Sequence, residues 1–285
     1  MKVYYDCAPC YLRQAKEAID LSTDDENLKM ELMEDIFKFL SENYHPDAPS
    51  NKTGSIIRKM IKEKTKCNDP YLKEKIESNK LALKYFPIAK DLLNDNTLEN
   101  CVKIAILGNL LDFGAFKLDT NIEKLIKNGL KSKLAINHVN LLEKDLKNHK
   151  NLLYLLDNVG EVVFDKILLE KIKEYDINIT LAVKEEPIIN DACLEDALEA
   201  DLDKYGEIVS IGTDTVGFVY SEISKEFKRV FDNADFIISK GLGNYEGLTE
   251  IDLSTKDVYF LLCVKCLPIA KDLNLDLEDM VILKN

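Results

Sequence analysis

A chain of 285 residues, 46% hydrophobic, with 7 prolines and 11 glycines, has the composition of a folded protein with room for one large domain or two smaller ones. Its 51 acidic side chains outnumber 38 basic ones, and a formal charge of −13 without a local basic patch argues against broad binding to nucleic acid or to an anionic membrane. The opening residues MKVYYDCAPCYLRQAKEAID lack the apolar core of a signal peptide, and no apolar run has the length to cross a bilayer, so a cytoplasmic location is expected.

From residue 8 to about 97 apolar residues recur three and four apart, in YLRQAKEAIDL, LKMELMEDIFKFLSENY, SIIRKMIKEKT and PYLKEKIESNKLALKYFPIAKDLL. The breaks STDDEN, HPDAPSNKTG and KCNDP are made of turn and cap residues, which predicts four helices. A more apolar stretch, TLENCVKIAILGNLLDFGAF, predicts a buried helix. After about residue 130 short apolar runs alternate with amphipathic segments, and NLLYLLD, INITLAVK, ADFIISKG and DVYFLLCVK read as strands. Buried strands alternating with helices predict an α/β fold: a mainly parallel sheet flanked by helices, with an all-helical subdomain at the amino end. The expected division is 1–97 for the helical subdomain and 98–285 for the α/β domain.

An open parallel sheet binds its ligand outside the carboxyl ends of its strands. The first predicted strand ends in Asp157 and Asn158, the second leads through KEEPIINDAC to Asn190 and Asp191, the third ends in SKGLGNYEG, and the fourth in Lys265 and Cys266. Asp157, Asn158 and Asp191 are hard oxygen ligands suited to Mg²⁺ or Mn²⁺. The SKGLGN loop, with Gly241, Gly243 and Asn244, offers backbone N–H groups to an anion beside Lys240, and Lys265 adds a second positive charge. A divalent ion next to an anion cradle is equipment for cleaving a phosphate ester. Taken alone, DNVGE reads as a helix cap and GLGN as a tight turn; the recurrence of polar groups at four successive strand ends points to a site. In GTDTVG a turn accounts for Asp214. Asn109 and Asp112, three apart on one helix face, either satisfy the core or reach the site.

Seven cysteines in a reducing compartment favour metal binding, redox chemistry or burial over disulfides. CAPC and CVKC are both C-x-x-C pairs and are able to build a four-thiolate zinc site if the chain ends meet, although Cys263 falls inside an apolar run and reads as a buried thiol. A second metal or redox site is therefore expected at Cys7, Cys10 and Cys266, while Cys67, Cys101 and Cys193 read as structural.

LLDNVGEVVFD, the downstream NDA, ADFIISKGLGNYEGL and FLLCVKC, in that order after an amino-terminal CAPC, resemble the metal-dependent damage-control phosphatases. That family was long catalogued as a domain of unknown function, and its human relative was once described as an acidic-residue methyltransferase. The resemblance covers nearly the whole chain, GNLLDFG included, and the leading C-x-x-C is similar to the archaeal and bacterial branch. It implies an α/β domain with a helical subdomain and a phosphatase acting on small phosphorylated metabolites, such as sugar phosphates or damaged cofactor intermediates. By the same resemblance Asp157, Asn158 and Asp191 hold the metal (Mg²⁺, Mn²⁺, Co²⁺ or Ni²⁺), Lys240 contacts phosphate, Lys265 matches the KC motif, and Asn109 and Asp112 match the helical element. No DxD signature follows a strand, so direct attack by water is expected, with Asp157 or Asp191 as its base. The rival readings are an S-adenosylmethionine-dependent methyltransferase, for which DNVGE offers one glycine where a glycine-rich loop is wanted, and a non-enzymatic metal-binding protein centred on Cys7 and Cys10.

Overall fold

The computed structural model describes residues 1–93, 95–110 and 122–285, without the side chain of residue 110. The four amino-terminal helices are α1 (Cys7–Ser22), α2 (Glu26–Asn43), α3 (Ser50–Thr65) and α4 (Leu72–Leu92), followed by α5 (Leu98–Leu110) and α6 (Ile122–Lys131). The α/β part runs β1 (Ile136–Asn137), α7 (Val139–Asn148), β2 (Asn151–Leu155), α8 (Glu161–Ile172), β3 (Asn178–Val183), α9 (Leu194–Glu199), β4 (Glu207–Ser210), α10 (Lys225–Asn233), β5 (Phe236–Lys240), α11 (Gly241–Leu248), β6 (Asp257–Cys263), α12 (Leu267–Leu273) and β7 (Met280–Lys284). Among the described residues no helix is long and apolar enough to cross a membrane.

The sheet order is β1-β7-β6-β5-β2-β3-β4. Strands β2 to β6 are mutually parallel, while β7 runs antiparallel to β6 and carries β1 along its far edge. Alternate side chains feed two cores. Leu152, Tyr154, Phe236, Ile238, Tyr259 and Leu261 face a layer that includes α5 and α8. Leu153, Leu155, Ile237, Val258, Phe260 and Leu262 face Phe227 and Phe231 of α10, Tyr245 and Leu248 of α11 and Ile269 of α12. Burial on both faces explains why these strands read as unbroken apolar runs. Helices α1 to α3 have a third core of their own, built on Ala15, Ile19, Leu32, Ile36, Ile57 and Ile61, whereas Ala82 and Ala89 of α4 join the sheet core.

The four strands predicted from sequence are neighbours, in the order β3-β2-β5-β6. Going outward from β2 the chain builds β3 and β4 on one side, then returns to build β5 and β6 on the other. The order reverses between β2 and β5, and in such sheets the crevice at that point takes the ligand.

Candidate active site

The chain leaves β2 through Leu156 and turns at Asp157. The cap reading of DNVGE does not hold. Gly160, at φ +85°, is the N-cap of α8, and no side chain caps that helix. Instead the turn is paired with a second segment. After β3 the chain doubles back, so that Ala192 N–H donates to Asp157 O and Val159 N–H donates to Asn190 O, each at 2.8 Å, and Asn158 stands opposite Asp191 in an antiparallel bridge. Residues opposed across such a bridge place their side chains on the same face, about 5 Å apart at Cβ. Asp191 is thus delivered to the end of β2 by backbone pairing, although it lies eight residues beyond the end of its own strand. Lys184, buried at the end of β3, stands 3.4 Å from the Asp191 carboxylate.

Two amides and two carboxylates then interlock. Asn109 Nδ2, from the end of α5, donates to Asp157 Oδ2 at 2.8 Å and to Glu161 Oε2 at 2.6 Å. Asn158 Nδ2 donates to the same two oxygens, at 3.1 and 3.3 Å. With both nitrogens committed, each amide turns its oxygen away from the carboxylates. Behind them Lys240 is fully buried, and its ammonium donates to Ala105 O at 2.9 Å and to Glu161 Oε1 and Asp165 Oδ1 at 2.6 Å each. Tyr154 O–H donates to the same Asp165 oxygen at 2.9 Å.

Burial, then the negative charges of Glu161 and Asp191, pushes the Asp157 carboxyl well above the usual carboxylate range. Burial also raises Asp191 against the opposing pull of Lys184. Asp165 is raised to about 6 by burial, with Lys240 opposing. Burial acts to lower Lys240, but Asp165 and Glu161 outweigh it and the ammonium is held above its ordinary value. Burial is thus the main reason that the two carboxyls at the mouth, Asp157 and Asp191, resist ionising, with Glu161 adding to the effect and neighbouring lysines opposing it.

Helix α11 begins at this point. Gly241 has φ +74°, and a Cβ there would lie 1.8 Å from Asp157 Oδ2, so only glycine lets the backbone press against the carboxylate. The first N–H groups of α11 have no partner within the helix and open beside Asp157. Asn244 is spent on structure, since its Nδ2 donates to Leu156 O at 3.0 Å and Lys240 O at 2.9 Å and ties the helix to the end of β2. Gly243 O accepts from Asn51 Nδ2 of α3 at 2.8 Å. Lys265 lies after β6 with its ammonium on Asn109 O. Asp112 lies outside the described residues. Asp214 pairs with Lys62 of α3 at 3.2 Å, away from the carboxylates.

With that geometry in hand, the comparisons with known proteins fall on one family. The damage-control phosphatase ARMT1-like domain matches residues 3–281. The chain belongs to this family. It is 37% identical to a damage-control phosphatase of Pyrococcus horikoshii, over 100% of this chain and 99% of that one, and 32% identical to a damage-control phosphatase of Archaeoglobus fulgidus, over 99% and 98%. An uncharacterised protein of Methanocaldococcus jannaschii is 40% identical over 100% of this chain and 96% of its own length. The crystal structure of a DUF89-family protein from Pyrococcus horikoshii superposes with a TM-score of 0.93 at 37% identity, covering 100% of this chain and 99% of that one.

Glu161, Asp165, Tyr154 and Lys184 were not singled out in the sequence. Glu161 is an acid in the first turn of α8, a common position for one, and the signal that marks it is Asp165 four residues on, a second acid on the same face of a helix otherwise buried by Val162, Val163, Phe164 and Ile167. The ammonium of Lys240, expected at the phosphate, faces these two acids instead, because they stand under the end of β5 and leave it no unpaired hydrogen.

Proposed function

We propose that this phosphatase is a metal-dependent phosphomonoesterase acting on small phosphorylated metabolites by direct attack of water. The observation that carries the reading is the pairing of Asn158 against Asp191 beside Asp157, at the amino terminus of α11. The donors fit a hard divalent cation. Asp157 Oδ1 takes no part in the amide bonds, Asn158 presents its carbonyl oxygen, and Asp191 contributes a carboxylate, a set that suits Mg²⁺, Mn²⁺, Co²⁺ or Ni²⁺ with water in the remaining positions. Bound there, the ion supplies Lewis-acid polarisation of the phosphoryl group and orients water.

The chain's own groups do the rest. The N–H groups opening α11 at residues 241–243 and the Lys265 ammonium stabilise charge on the phosphoryl oxygens. Asp157 or Asp191 accepts the proton of the attacking water. Lys240 acts from behind, holding Glu161 and Asp165 in place through its ion pairs, and so keeps the amides of Asn109 and Asn158 facing one way.

The test is phosphate release from a panel of small phosphate esters by chelator-treated protein, with each ion restored in turn, beside Asp157→Ala. Activity is expected to return with the ion and to fall by more than about a thousandfold in the variant, whose fold persists because the lost side chain sits at a strand end. Undiminished activity in Asp157→Ala under saturating metal overturns the ligand assignment, and a phosphoenzyme trapped on an aspartate overturns direct water attack.

A further inference from the structure

The first polar residue after β3 is Lys184, and the alternation of the strand decides where it points. Leu181 and Val183 face the layer that includes α5 and α8, whereas Ala182 faces the layer of α10, α11 and α12. Lys184 continues the extended chain, bridged in parallel to Cys193, and being two residues from Ala182 it lies on the α11 side of the sheet. There it lines a small crevice with Ile211, Phe218 and Asn244. The side chain is buried, and its ammonium donates to Gly217 O and stands 3.4 Å from Asp191 Oδ2. Gly217 in turn packs on Gly243 in the first turn of α11. The ammonium is thereby fixed between the two halves of the site, the Asp191 carboxylate and the N–H groups that open α11.

Other lysines around the site are spent. Lys240 gives its hydrogens to Ala105 O, Glu161 and Asp165. Lys75, whose charge also reaches Asp191, has carboxylates of its own in Asp69 at 3.3 Å and Asp196 at 2.9 Å. Lys184 has one neutral carbonyl and the one carboxylate of Asp191, so among the described residues one of its three hydrogens has no acceptor. A buried ammonium in that position depends on Asp191 for its balancing charge. Asp191 is also the carboxylate assigned to the divalent ion, and a carboxylate shared with such an ion no longer balances a lysine.

Resting on the phosphomonoesterase reading, we propose that Lys184 is a further catalytic residue, whose ammonium exchanges its place on Asp191 for one on a phosphoryl oxygen of the substrate when Asp191 takes a divalent ion. The dianionic phosphoryl group is the anion that the site brings within reach, and a lysine is a compact charge whose donors rotate while Gly217 O keeps its bond. As water adds to phosphorus and the ester P–O bond breaks, one proton of the water passes through the site carboxylate to the leaving alkoxide and the other stays on the phosphate. Lys184 keeps its three hydrogens throughout and acts as a fixed positive charge on an equatorial oxygen.

Lys184→Met and Lys184→Arg test the role by three readouts. Calorimetric binding of orthophosphate to Mg²⁺-loaded protein should weaken more than about thirtyfold in Lys184→Met and less than about fivefold in Lys184→Arg. For a small phosphate ester, kcat/KM should fall more than about a hundredfold in Lys184→Met. Mn²⁺ binding, followed by electron paramagnetic resonance, should tighten about 3–10-fold in the same variant, because the charge competing for Asp191 is gone. Lys184→Gln, which keeps a donor and loses only the charge, carries the same expectations should circular dichroism show Lys184→Met to be misfolded. A lysine that merely latches the Gly217 loop predicts a looser Mn²⁺ site and no advantage of arginine over methionine, and either result overturns the role. Wild-type phosphate affinity and turnover in Lys184→Met overturn it as well. Wild-type protein that releases no phosphate with any ion and binds no orthophosphate overturns the phosphomonoesterase reading itself, and this role with it.

Discussion

The Glu161 carboxylate is the residue on which the acidic cluster turns. One of its oxygens receives the amides of Asn109 and Asn158, and the other receives Lys240. Glu161→Gln sets an amide nitrogen among three donors and cannot accept from all of them. The Asn158 amide then loses the partner that fixes which end it presents, so Mn²⁺ affinity should fall about 10–100-fold, as when the outer partners of a metal ligand are removed. Titration of free Mn²⁺ by electron paramagnetic resonance measures this, and an unchanged dissociation constant would show that Asn158 needs no such orientation. Asp165 sets a pH dependence. Its carboxyl stands at about 6 in the folded protein, above the ordinary aspartate value of about 4. A group that holds its proton more tightly when folded contributes stability that is complete below the unfolded value and is lost as pH rises through the folded one. Stability is therefore expected to decline between about pH 4 and about pH 6 through this residue, and Asp165→Asn should flatten that slope in urea melts taken at each pH. An identical slope in the variant would assign the decline to another group.

At the scale of elements, what the sequence revealed were runs with their own period. The four amino-terminal helices and β2, β3, β5 and β6 are each long enough to show a helical stripe or an apolar block, and their pairing order puts the four predicted strand ends side by side. The short elements gave no comparable signal. β1 has two residues and β4 four, while MVILK of β7 lies at the chain end and pairs antiparallel to β6, a partnership that no βα rhythm announces. Asp157, Asn158, Asp191, Asn109 and Lys265 were visible because each closes or neighbours an apolar run. The partners of Lys240 were not, since a buried acid on a helix becomes meaningful only when the strand that faces it is known. Gly241 sits where element and site meet. A methyl at φ +74° and 1.8 Å from Asp157 Oδ2 forces the start of α11 away from β2. Gly241→Ala should cost on the order of 3 kcal/mol and remove activity with it. Full activity in a variant of normal melting temperature would mean that α11 does not need to press on Asp157.

For the whole molecule, the question is why three helices with a core of their own lie across the carboxyl edge of the sheet. Helix α3 answers it. Asn51 Nδ2 donates to Gly243 O at 2.8 Å, Ser55 Oγ accepts from Val216 N–H at 2.9 Å, and Lys62 reaches Pro187 O at 3.1 Å and Asp214 at 3.2 Å. One helix face thereby holds the loops that follow β3 and β4 and the first turn of α11. Gly217 packs directly on Gly243, since a Cβ at Gly217 would come 2.0 Å from the Gly243 carbonyl oxygen, so the loop after β4 and the start of α11 also hold each other. The ion pair of Lys62 with the half-buried, solvent-facing Asp214 is worth less than about 1 kcal/mol. Asn51, buried against the first turn of α11, matters more, because its loss removes a largely buried side-chain hydrogen bond worth about 1 kcal/mol. Asn51→Ala should therefore lower the melting temperature modestly and, in hydrogen exchange, speed the amides of 216–218 and 241–244 ahead of those in β2 and β5. Such a pattern makes the helical part a clamp that positions the anion-facing turn of α11 from outside, and turnover should drop along with it. Exchange that rises evenly through the sheet would instead mean that α3 adds stability without ordering the site, and the precision of the α11 turn would then rest on Asn244 and Gly241 alone.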